Sequence, residues 1–198
     1  MRPLLRQDVI ATATELFNRS GYHSVGMRDI AAALGISVGN LTYHFPKKQD
    51  ILQAIMEQNF YITAMQEEIV TLRQFQTMLN KMLDSLEVNA FYFRDPTIIP
   101  LNDKGAEDVS KLYHILLAAL ENLRKNGLFQ DSLDPRRQKD IAWFFMMSHL
   151  AWFQKTAQIS PLFEISRNQF MKAHWTLLMP YLTEAGWIQY RQDIESLD

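Results

Sequence analysis

Residues 27–44, MRDIAAALGISVGNLTYH, carry the pattern from which the fold of the N-terminal part of this chain can be predicted. The apolar residues of this stretch recur at helical spacing on both sides of Gly35, which predicts two short helices, Met27–Leu34 and Val38–His44, joined by a tight turn. The second helix must end before Pro46, because the residue that precedes a proline disfavours helical geometry. Two short helices joined by a glycine-containing turn form a helix-turn-helix unit.

The two faces of this unit differ in character. The apolar inner face, which would hold the helices at their crossing angle, consists of Ile30, Ala31, Leu34, Ile36 and Leu41. In a helix-turn-helix unit the second helix enters the major groove of DNA and the first crosses the backbone. The residues that we expect to contact DNA are mostly polar and comprise Arg28, Ser37, Val38, Gly39, Asn40, Thr42, Tyr43, His44, Lys47 and Lys48.

Different roles follow from the chemistry of these side chains. Asn40 and Thr42 are the best candidates for base contact, since an amide can bridge an adenine edge and a hydroxyl can meet a base. Arg28, Tyr43 and Lys48 are expected to grip phosphates, and the first turn of the next helix offers backbone N–H groups as well. Two structural alternatives stay open at this point: Arg28 could be a solvated helix residue, and Tyr43 a packing residue at a domain joint.

The rest of the chain is also expected to be helical, because its apolar runs have helical period and no alternating strand pattern occurs. The fold class is therefore all-α, with residues 129–134 as a loop and no structure assigned to residues 187–198. The additional expected helices are Pro3–Ser20, Lys48–Glu67, Leu72–Phe93, Thr97–Leu101, Glu107–Asn126, Pro135–Ile159 and Pro161–Glu184.

Composition narrows the class of protein. The chain of 198 residues is 47% hydrophobic and 21% charged, as in ordinary globular proteins, and it has no cysteine, which excludes disulfides and Cys-ligated metal sites. The N-terminal segment has no uninterrupted apolar run and no window approaches the length of a membrane span, so we expect a cytoplasmic protein without a membrane partner. Residues 1–48 carry six Lys or Arg against three Asp or Glu, whereas the remainder carries 14 against 19. We call residues 1–48 the head and the remainder the body. A basic head joined to an acidic body is typical of a protein that binds a polyanion at one end.

The pattern resembles the N-terminal domain of the TetR family of bacterial transcriptional regulators. The resemblance spans about 45 residues and rests on order, spacing and identity of three motifs: LF-x3-GY from Leu16, MRDIA-x2-LGIS-x-G-x-L from Met27, and YHF-x2-K from Tyr43. It implies a DNA-binding domain over residues 1–47 and an effector-binding and dimerisation domain over residues 48–198, with about nine helices in an Ω-shaped homodimer. Two positions depart from the family pattern, because Thr42 replaces a usual Tyr and Gly26 replaces a Ser or Thr cap.

The body is expected to form the dimer. In the resembled family the last two long helices pair across the dimer axis, here about residues 135–159 and 161–184, and both are apolar on more than one face. A small-molecule effector would enter the same body, where methionines and aromatic residues form adaptable walls. The candidate walls are Met78, Met82, Tyr92, Phe93, Tyr113, Phe144 and His149.

The expected function is a repressor that binds a near-palindromic operator in double-stranded DNA and is released by a small, largely apolar effector. We expect no cofactor and no metal site, since no ligand-spaced His or carboxylate cluster occurs, and no enzyme, since no phosphate loop, nucleophile elbow or catalytic carboxylate pair occurs. One alternative is a DNA-binding regulator controlled by a protein partner. Another is an all-α carrier or enzyme whose head no longer binds DNA.

Overall fold

The computed structural model describes residues 6–59, 68–95, 97–98, 103–152 and 165–195. Within these ranges the regular structure is helical, and the only β-type pairing is an isolated antiparallel bridge between Phe129 and Leu182. The all-α prediction is therefore confirmed. The helices are α1 (Arg6–Ser20), α2 (Met27–Leu34), α3 (Val38–His44), α4 (Lys48–Asn59), α5 (Leu72–Val88), α6 (Ala90–Arg94), α7 (Asp103–Lys125), α8 (Pro135–Trp152), α9 (Arg167–Leu178) and α10 (Glu184–Asp193), with a 3₁₀ helix at Met179–Tyr181.

The first four helices follow the predicted order. The bounds of α2 and α3 are those predicted, and α4 begins at Lys48 as predicted. The predicted first residues of α1 and the predicted extension of α4 to Glu67 lie outside the described residues. Helix α1 packs against α2, α4 and α6, and its buried Phe17 contacts the rings of Tyr22 and Phe91 at centroid distances of 5.1 and 5.3 Å.

The predicted single helix Leu72–Phe93 is wrong, because the chain breaks at Asn89 into α5 and α6. Asn89 is fully buried, with φ −110° and ψ 30°, and its side-chain amide donates to the backbone oxygen of Ser85 at 3.2 Å. Asparagine competes with helical hydrogen bonding in this way. The side chain of Asn18 in α1 stabilises this break. Its Oδ1 accepts the Phe91 N–H at 2.9 Å, at the start of α6, and its Nδ2 donates to the Val88 oxygen at 2.8 Å, at the end of α5.

Helix α7 begins at Asp103, four residues before the predicted start, so Gly105 lies within the helix and does not precede it. The predicted short helix Thr97–Leu101 lies mostly outside the described residues, and Thr97 and Ile98 form a turn. Helix α8 begins at Pro135 as predicted, and its predicted extension to Ile159 lies outside the described residues. Asp134 caps it, as its carboxylate accepts the Arg137 N–H at 2.9 Å.

The predicted helix Pro161–Glu184 is wrong at both ends. Ser166 is extended, with φ −68° and ψ 160°, and its hydroxyl accepts the Gln169 N–H at 3.2 Å, so α9 starts at Arg167. The helix ends at Leu178, since Pro180 has no N–H to continue the ladder and the chain tightens into the 3₁₀ turn.

A tenth helix occupies part of the segment for which the sequence predicted nothing. Thr183 Oγ1 accepts the Gly186 N–H at 3.1 Å and starts α10. Gly186 lies in the first turn of this helix, where a Cβ atom would stand 2.2 Å from the backbone oxygen of Leu128. Glycine is therefore required here for close approach, and it does not end a helix as the sequence suggested.

Contacts between the described residues divide the chain into two compact units. The first comprises the described residues within Met1–Tyr61 and Ser85–Glu107, and the second those within Ile62–Asp84 and Asp108–Asp198. The functional division at residue 48 stays a prediction. Every helix in the described ranges is too short or too polar to cross a membrane.

Candidate nucleic-acid interface

Local hydrogen bonds fix both ends of α2. The Gly26 N–H donates to Asp29 Oδ2 at 2.7 Å, which is one half of a capping box; the other half, a cap hydroxyl that accepts the Asp29 N–H, is lost because glycine has no side chain. At the other end Gly35 has φ 67° and ψ 30°, the left-handed conformation that glycine adopts without strain. The Ile36 N–H then donates to the Ala31 oxygen at 3.0 Å and closes the helix.

Helix α3 is likewise bounded by its own sequence. Ser37 Oγ accepts the Asn40 N–H at 3.1 Å, and the helix ends at Phe45, which has φ −139° and ψ 95° in front of Pro46. The buried face holds α2 against α3 through Ile30 and Leu41, each fully buried. Of the other predicted inner residues, Ala31 is buried, whereas Leu34 and Ile36 are half-buried.

The outer face of the unit is polar and open to solvent. Thr42 and Lys48 are half-buried, and the other eight residues predicted to contact DNA, Arg28, Ser37, Val38, Gly39, Asn40, Tyr43, His44 and Lys47, are exposed. All ten lie on α2, on α3 with its cap, or where α4 begins, within the first unit. Contact with DNA itself stays a prediction for each of them.

Asn40 and Tyr43 are the most available of these side chains. Tyr43 is 84% exposed and touches only the edge of the neighbouring His44 ring, so it does not pack as a core residue. The Asn40 amide has no hydrogen-bond partner among the described residues, which leaves both its donors and its oxygen for a ligand.

Thr42 is more restricted than the sequence suggested. Its hydroxyl donates to the Gly39 oxygen within α3 at 3.1 Å, and the side chain is half-buried. The hydroxyl can still accept a hydrogen bond, but it has no second proton to donate. Asn40 is therefore a better candidate for base contact than Thr42.

Lys48 is bound to its own chain. Its Nζ donates to the backbone oxygens of Tyr22 and Val25, both at 2.9 Å, and lies 4.2 Å from the centroid of the Tyr22 ring. Burial lowers the pKa of this ammonium group. Two of its three donors thus fasten α4 to the loop that follows α1, and only one remains for a phosphate.

The start of α4 is also partly occupied. Asp50 Oδ2 accepts the Lys47 N–H at 2.8 Å, which is one of the backbone donors that the sequence offered to a phosphate. The Lys47 side chain is exposed and forms no ion pair among the described residues. The Lys47 ammonium group is consequently a better candidate for a phosphate contact than that of Lys48.

Arg6, a weaker candidate from the sequence than Asn40 or Tyr43, also lies beside the helix-turn-helix unit. Its guanidinium lies 4.6 Å from the centroid of the Phe45 ring, at the end of α3, and the side chain is exposed. A separation of 39 positions gives no local signal for such a contact. Only the packing of α1 on the helix-turn-helix unit reveals it.

The seven predicted effector contacts lie in different environments. Met78, Met82 and His149 are buried in the second unit, and Tyr92 and Phe93 are buried in the first. Tyr113 is half-buried, with its hydroxyl donating to the Lys139 oxygen at 3.5 Å. Phe144 is 47% exposed within one chain.

His149 forms a buried pair with His174, their ring centroids 4.8 Å apart. Each Nδ1 lies 2.8 Å from a backbone oxygen of its own helix, Phe145 for His149 and Phe170 for His174, which fixes the proton on Nδ1. Burial lowers both pKa values, that of His149 to about 3, so both rings are neutral near pH 7. Among the described residues no group of three or more His, Asp or Glu side chains could hold a metal ion.

Comparison with known proteins agrees with this geometry. Residues 9–55 match the family described as bacterial regulatory proteins, tetR family. Over 59 residues the chain is 37% identical to the HTH-type transcriptional regulator LmrA of Bacillus subtilis, which is 29% of this chain and 31% of LmrA. Over 54 residues it is 37% identical to the HTH-type transcriptional regulator UidR of Escherichia coli, 27% of this chain and 28% of UidR. The alignments thus span less than a third of either relative.

Solved structures extend the likeness over the whole chain. A TetR-family transcriptional regulator from Marinobacter aquaeolei matches with a TM-score of 0.81 and 25% identity over 98% of this chain and 97% of its own. CprB from Streptomyces coelicolor, solved with its operator sequence, shares the fold with a TM-score of 0.68 and 18% identity over 96% of each chain. These relatives are transcriptional regulators and not enzymes, the class that the sequence predicted. Residues 9–55 are thus similar to the tetR family of bacterial regulatory proteins, and the chain as a whole is similar in fold to a TetR-family transcriptional regulator.

Proposed function

We propose that this protein is a homodimeric transcriptional regulator that binds a near-palindromic operator in double-stranded DNA. The observation that carries the proposal is a short helix, α3, capped by Ser37 and stopped before Pro46, whose exposed face presents Asn40 and Tyr43. A rigid helix with free polar side chains suits insertion into the major groove. Arg28 and Lys47, both exposed, supply positive charge on either side of it.

The dimer is proposed to form through α8 and α9. Three large apolar residues of α8 are exposed at neighbouring positions of the helix surface, Trp143 at 59%, Phe144 at 47% and Met147 at 38%, and Leu177 of α9 is exposed at 38%. Exposed apolar clusters mark association sites, and a self-complementary patch gives a two-fold dimer. In such a dimer the two DNA-binding heads would contact half-sites one turn of duplex apart, about 34 Å. Together they would bind the operator more tightly than one small head can.

We propose further that the regulator is a repressor released by a small, largely apolar effector. Two proteins of similar fold are described as the SmeT–triclosan complex and a gamma-butyrolactone receptor, at 18% and 17% identity. Met78, Met82 and His149 are the buried candidates in the second unit, with Tyr92, Phe93, Tyr113 and Phe144 as the remaining ones. An effector would weaken operator binding by the ratio of its affinities for the two forms.

The alternative is a DNA-binding regulator controlled by a protein partner in place of a small effector. Measuring the unfolding temperature of the free protein with a panel of apolar compounds distinguishes control by an effector from control by a protein partner. An effector should raise this temperature and should also lower the affinity of the protein for operator DNA.

The DNA-binding proposal is tested by selecting sequences from a random duplex library with the full chain and measuring anisotropy on the selected duplex. We expect sequence-specific binding whose affinity falls steeply with salt. Equal affinity for selected and scrambled duplexes at every salt concentration would contradict the proposal. Sedimentation of the same sample should give a dimer at micromolar concentration, and a monomer there would contradict the dimer.

A further inference from the structure

The side chain of Arg6, on α1, contacts the end of α3. The central carbon of its guanidinium group lies 4.6 Å from the centroid of the Phe45 ring, and Phe45 is the residue at which α3 ends. Phe45 is 1% exposed, whereas Arg6 is exposed. The guanidinium group therefore lies against a buried ring, in a cation–π contact, while the residue that carries it stays open to solvent.

This contact does not use the hydrogen-bonding capacity of Arg6. The attraction is between the whole cation and the ring, so the five N–H donors of the guanidinium group remain available. None of them has an acceptor among the described residues, and Arg6 forms no ion pair there. The acidic residues closest in sequence, Asp8 to Arg6 and Asp50 to Phe45, take part in other interactions. Because the ring also restricts the side chain before a ligand arrives, Arg6 is a preorganised donor for an anion.

The place of Arg6 beside α3 indicates which anion it can meet. Exposed side chains flank Phe45 in the chain, with Tyr43 and His44 before it and Lys47 after it. Tyr43 and Lys47 are the residues for which we expect contacts with DNA phosphates. In a helix-turn-helix unit the base contacts come from the N-terminal part of the second helix, whereas Phe45 follows its C-terminal end. A donor held against Phe45 is consequently placed for the DNA backbone and not for base edges.

We propose that Arg6 is a further DNA contact that binds a backbone phosphate, and that Phe45 is the positioning residue that holds its guanidinium group beside the end of α3. The inference rests on the DNA-binding function proposed above. One guanidinium group can bind two phosphate oxygens at once through parallel N–H groups, which a compact ammonium group does not match. Phosphate contacts carry no sequence information, so Arg6 should contribute to affinity on every duplex.

Arg6→Met tests the contact, since it keeps the length of the side chain and removes the charge. Anisotropy titrations with the full chain and the selected duplex should cover salt concentrations from about 0.05 to 0.2 M. For each bound head the affinity should fall about tenfold, as expected when a charge-assisted hydrogen bond is lost. The slope of log affinity against log salt should become shallower by about 0.9 for each head. The loss should be the same on selected and scrambled duplexes.

Arg19→Met is the matched control. Arg19 is exposed in the last turn of α1, about 20 Å from Arg6 along the helix axis, which exceeds the screening length of about 10 Å at 0.1 M salt. The variant loses the same charge and should bind with parental affinity and slope. An equal loss in Arg6→Met and Arg19→Met would overturn the proposal, because net charge and not a contact would then account for it.

Two further variants test the role of Phe45. Arg6→Lys restores the charge without the planar group, so it should keep the parental salt slope and bind about threefold more weakly for each head. Phe45→Leu should weaken DNA binding in the parent and have no further effect in Arg6→Met, where nothing is left to position. Parental affinity in Arg6→Lys, or the same loss from Phe45→Leu in both backgrounds, would overturn the positioning role. If Phe45→Leu fails to fold, Arg6→Lys decides alone.

The inference and the proposed function fail separately. A parent chain that binds selected and scrambled duplexes equally at every salt concentration contradicts the proposed function, and the inference with it. A parent chain that binds its selected duplex specifically, together with parental affinity and slope in Arg6→Met, contradicts the inference alone.

Discussion

Helices α3 and α8 both leave side chains in solvent, but the two sets differ in chemistry. Helix α3 exposes Asn40 and Tyr43, with donors and acceptors that its own chain does not use. Helix α8 exposes Trp143 and Phe144, which bring large apolar area and few polar groups. The polar surface of α3 is suited to binding a hydrated polyanion such as DNA. The apolar surface of α8 is suited to packing against another apolar surface with water excluded between them.

The difference separates two energetic terms of the proposed function. DNA binding through α3 depends on the release of counterions from DNA and on contacts to base edges. The affinity for DNA should therefore depend on the salt concentration and on individual polar side chains. Association through α8 depends on buried apolar area, so charge introduced there acts mainly on assembly. Each surface can be altered without touching the other.

The largest effect is expected from Trp143→Glu. A carboxylate at the centre of the exposed α8 patch would have to be desolvated on pairing, so the dimer should dissociate at micromolar concentration. Operator affinity should then fall by at least about 100-fold, because two linked heads bind far more tightly than one. Sedimentation and anisotropy measure the two effects.

Ile188→Glu is the matched control, as Ile188 is 51% exposed on α10 and lies outside the proposed interface. It should remain a dimer with parental affinity. If Trp143→Glu stays dimeric, the α8 surface is not the interface.

Asn40→Ala should weaken binding to the selected operator by about 1–3 kcal/mol, the usual value of a bidentate base contact. Since no phosphate contact is lost, the slope of affinity against salt should not change. Binding curves on the operator and on duplexes altered at single positions measure the loss. Gln53→Ala on the exposed side of α4 is the control. A uniform loss on all duplexes would show that Asn40 does not contact a base.

Acid should destabilise the fold through His149. The pKa of this histidine is about 3 in the native state because of burial, against 6.5 for an exposed histidine, so the unfolded chain binds more protons between these values. The free energy of unfolding should therefore be highest above pH 6.5 and fall by about 2 kcal/mol on going from pH 7 to pH 5.

His149→Gln should reduce that dependence when urea unfolding is measured at both pH values. Glu121 does not confuse the result. Its pKa is lowered to about 2 by hydrogen bonds from Arg124 and Gln138, so its contribution is lost only below about pH 4.5. An equal pH dependence in parent and variant would contradict the role of His149.

Substitutions of Lys47 and Lys48 should each have a small effect, but on different quantities: Lys48 on the stability of the fold and Lys47 on the affinity for DNA. Lys48→Met leaves the Tyr22 and Val25 oxygens without their donor and should lower the free energy of unfolding by about 1–2 kcal/mol. Lys47→Met should change stability by less than about 0.5 kcal/mol. It should also lower DNA affinity and reduce the salt slope by about one. Thermal unfolding and salt titrations distinguish them, and a reversed pattern would contradict the assignment.

Sequence predicted the elements whose ends are decided locally. The bounds of α2 and α3 follow from Gly35, Ser37 and Pro46, each of which acts within a few residues of its own position. The break at Asn89 could not be predicted in this way, because the donor and acceptor that stabilise it come from Asn18, more than 70 positions earlier. The same holds for Gly186, whose requirement arises from the Leu128 backbone.

The candidate interface was predictable in composition but not in role. Residue types and spacing placed ten side chains on one short segment, and the segment matches the tetR family over residues 9–55. Spacing could not show that Lys48 is committed to the backbone oxygens of Tyr22 and Val25, or that the Thr42 proton is already used. Such contacts depend on how α4 and α3 pack, which no short window of sequence contains.

The helical class, the helix-turn-helix unit and the resemblance of the N-terminal residues to the tetR family could be predicted from sequence, because periodicity, caps and prolines act over a few residues. Tertiary structure alone decided which polar side chains stay free for a ligand. It brought Gln76 to Trp175 and Arg6 to Phe45 from distant positions. A hydrogen bond made inside the fold removes a donor from the surface, and only the folded chain shows which donors remain.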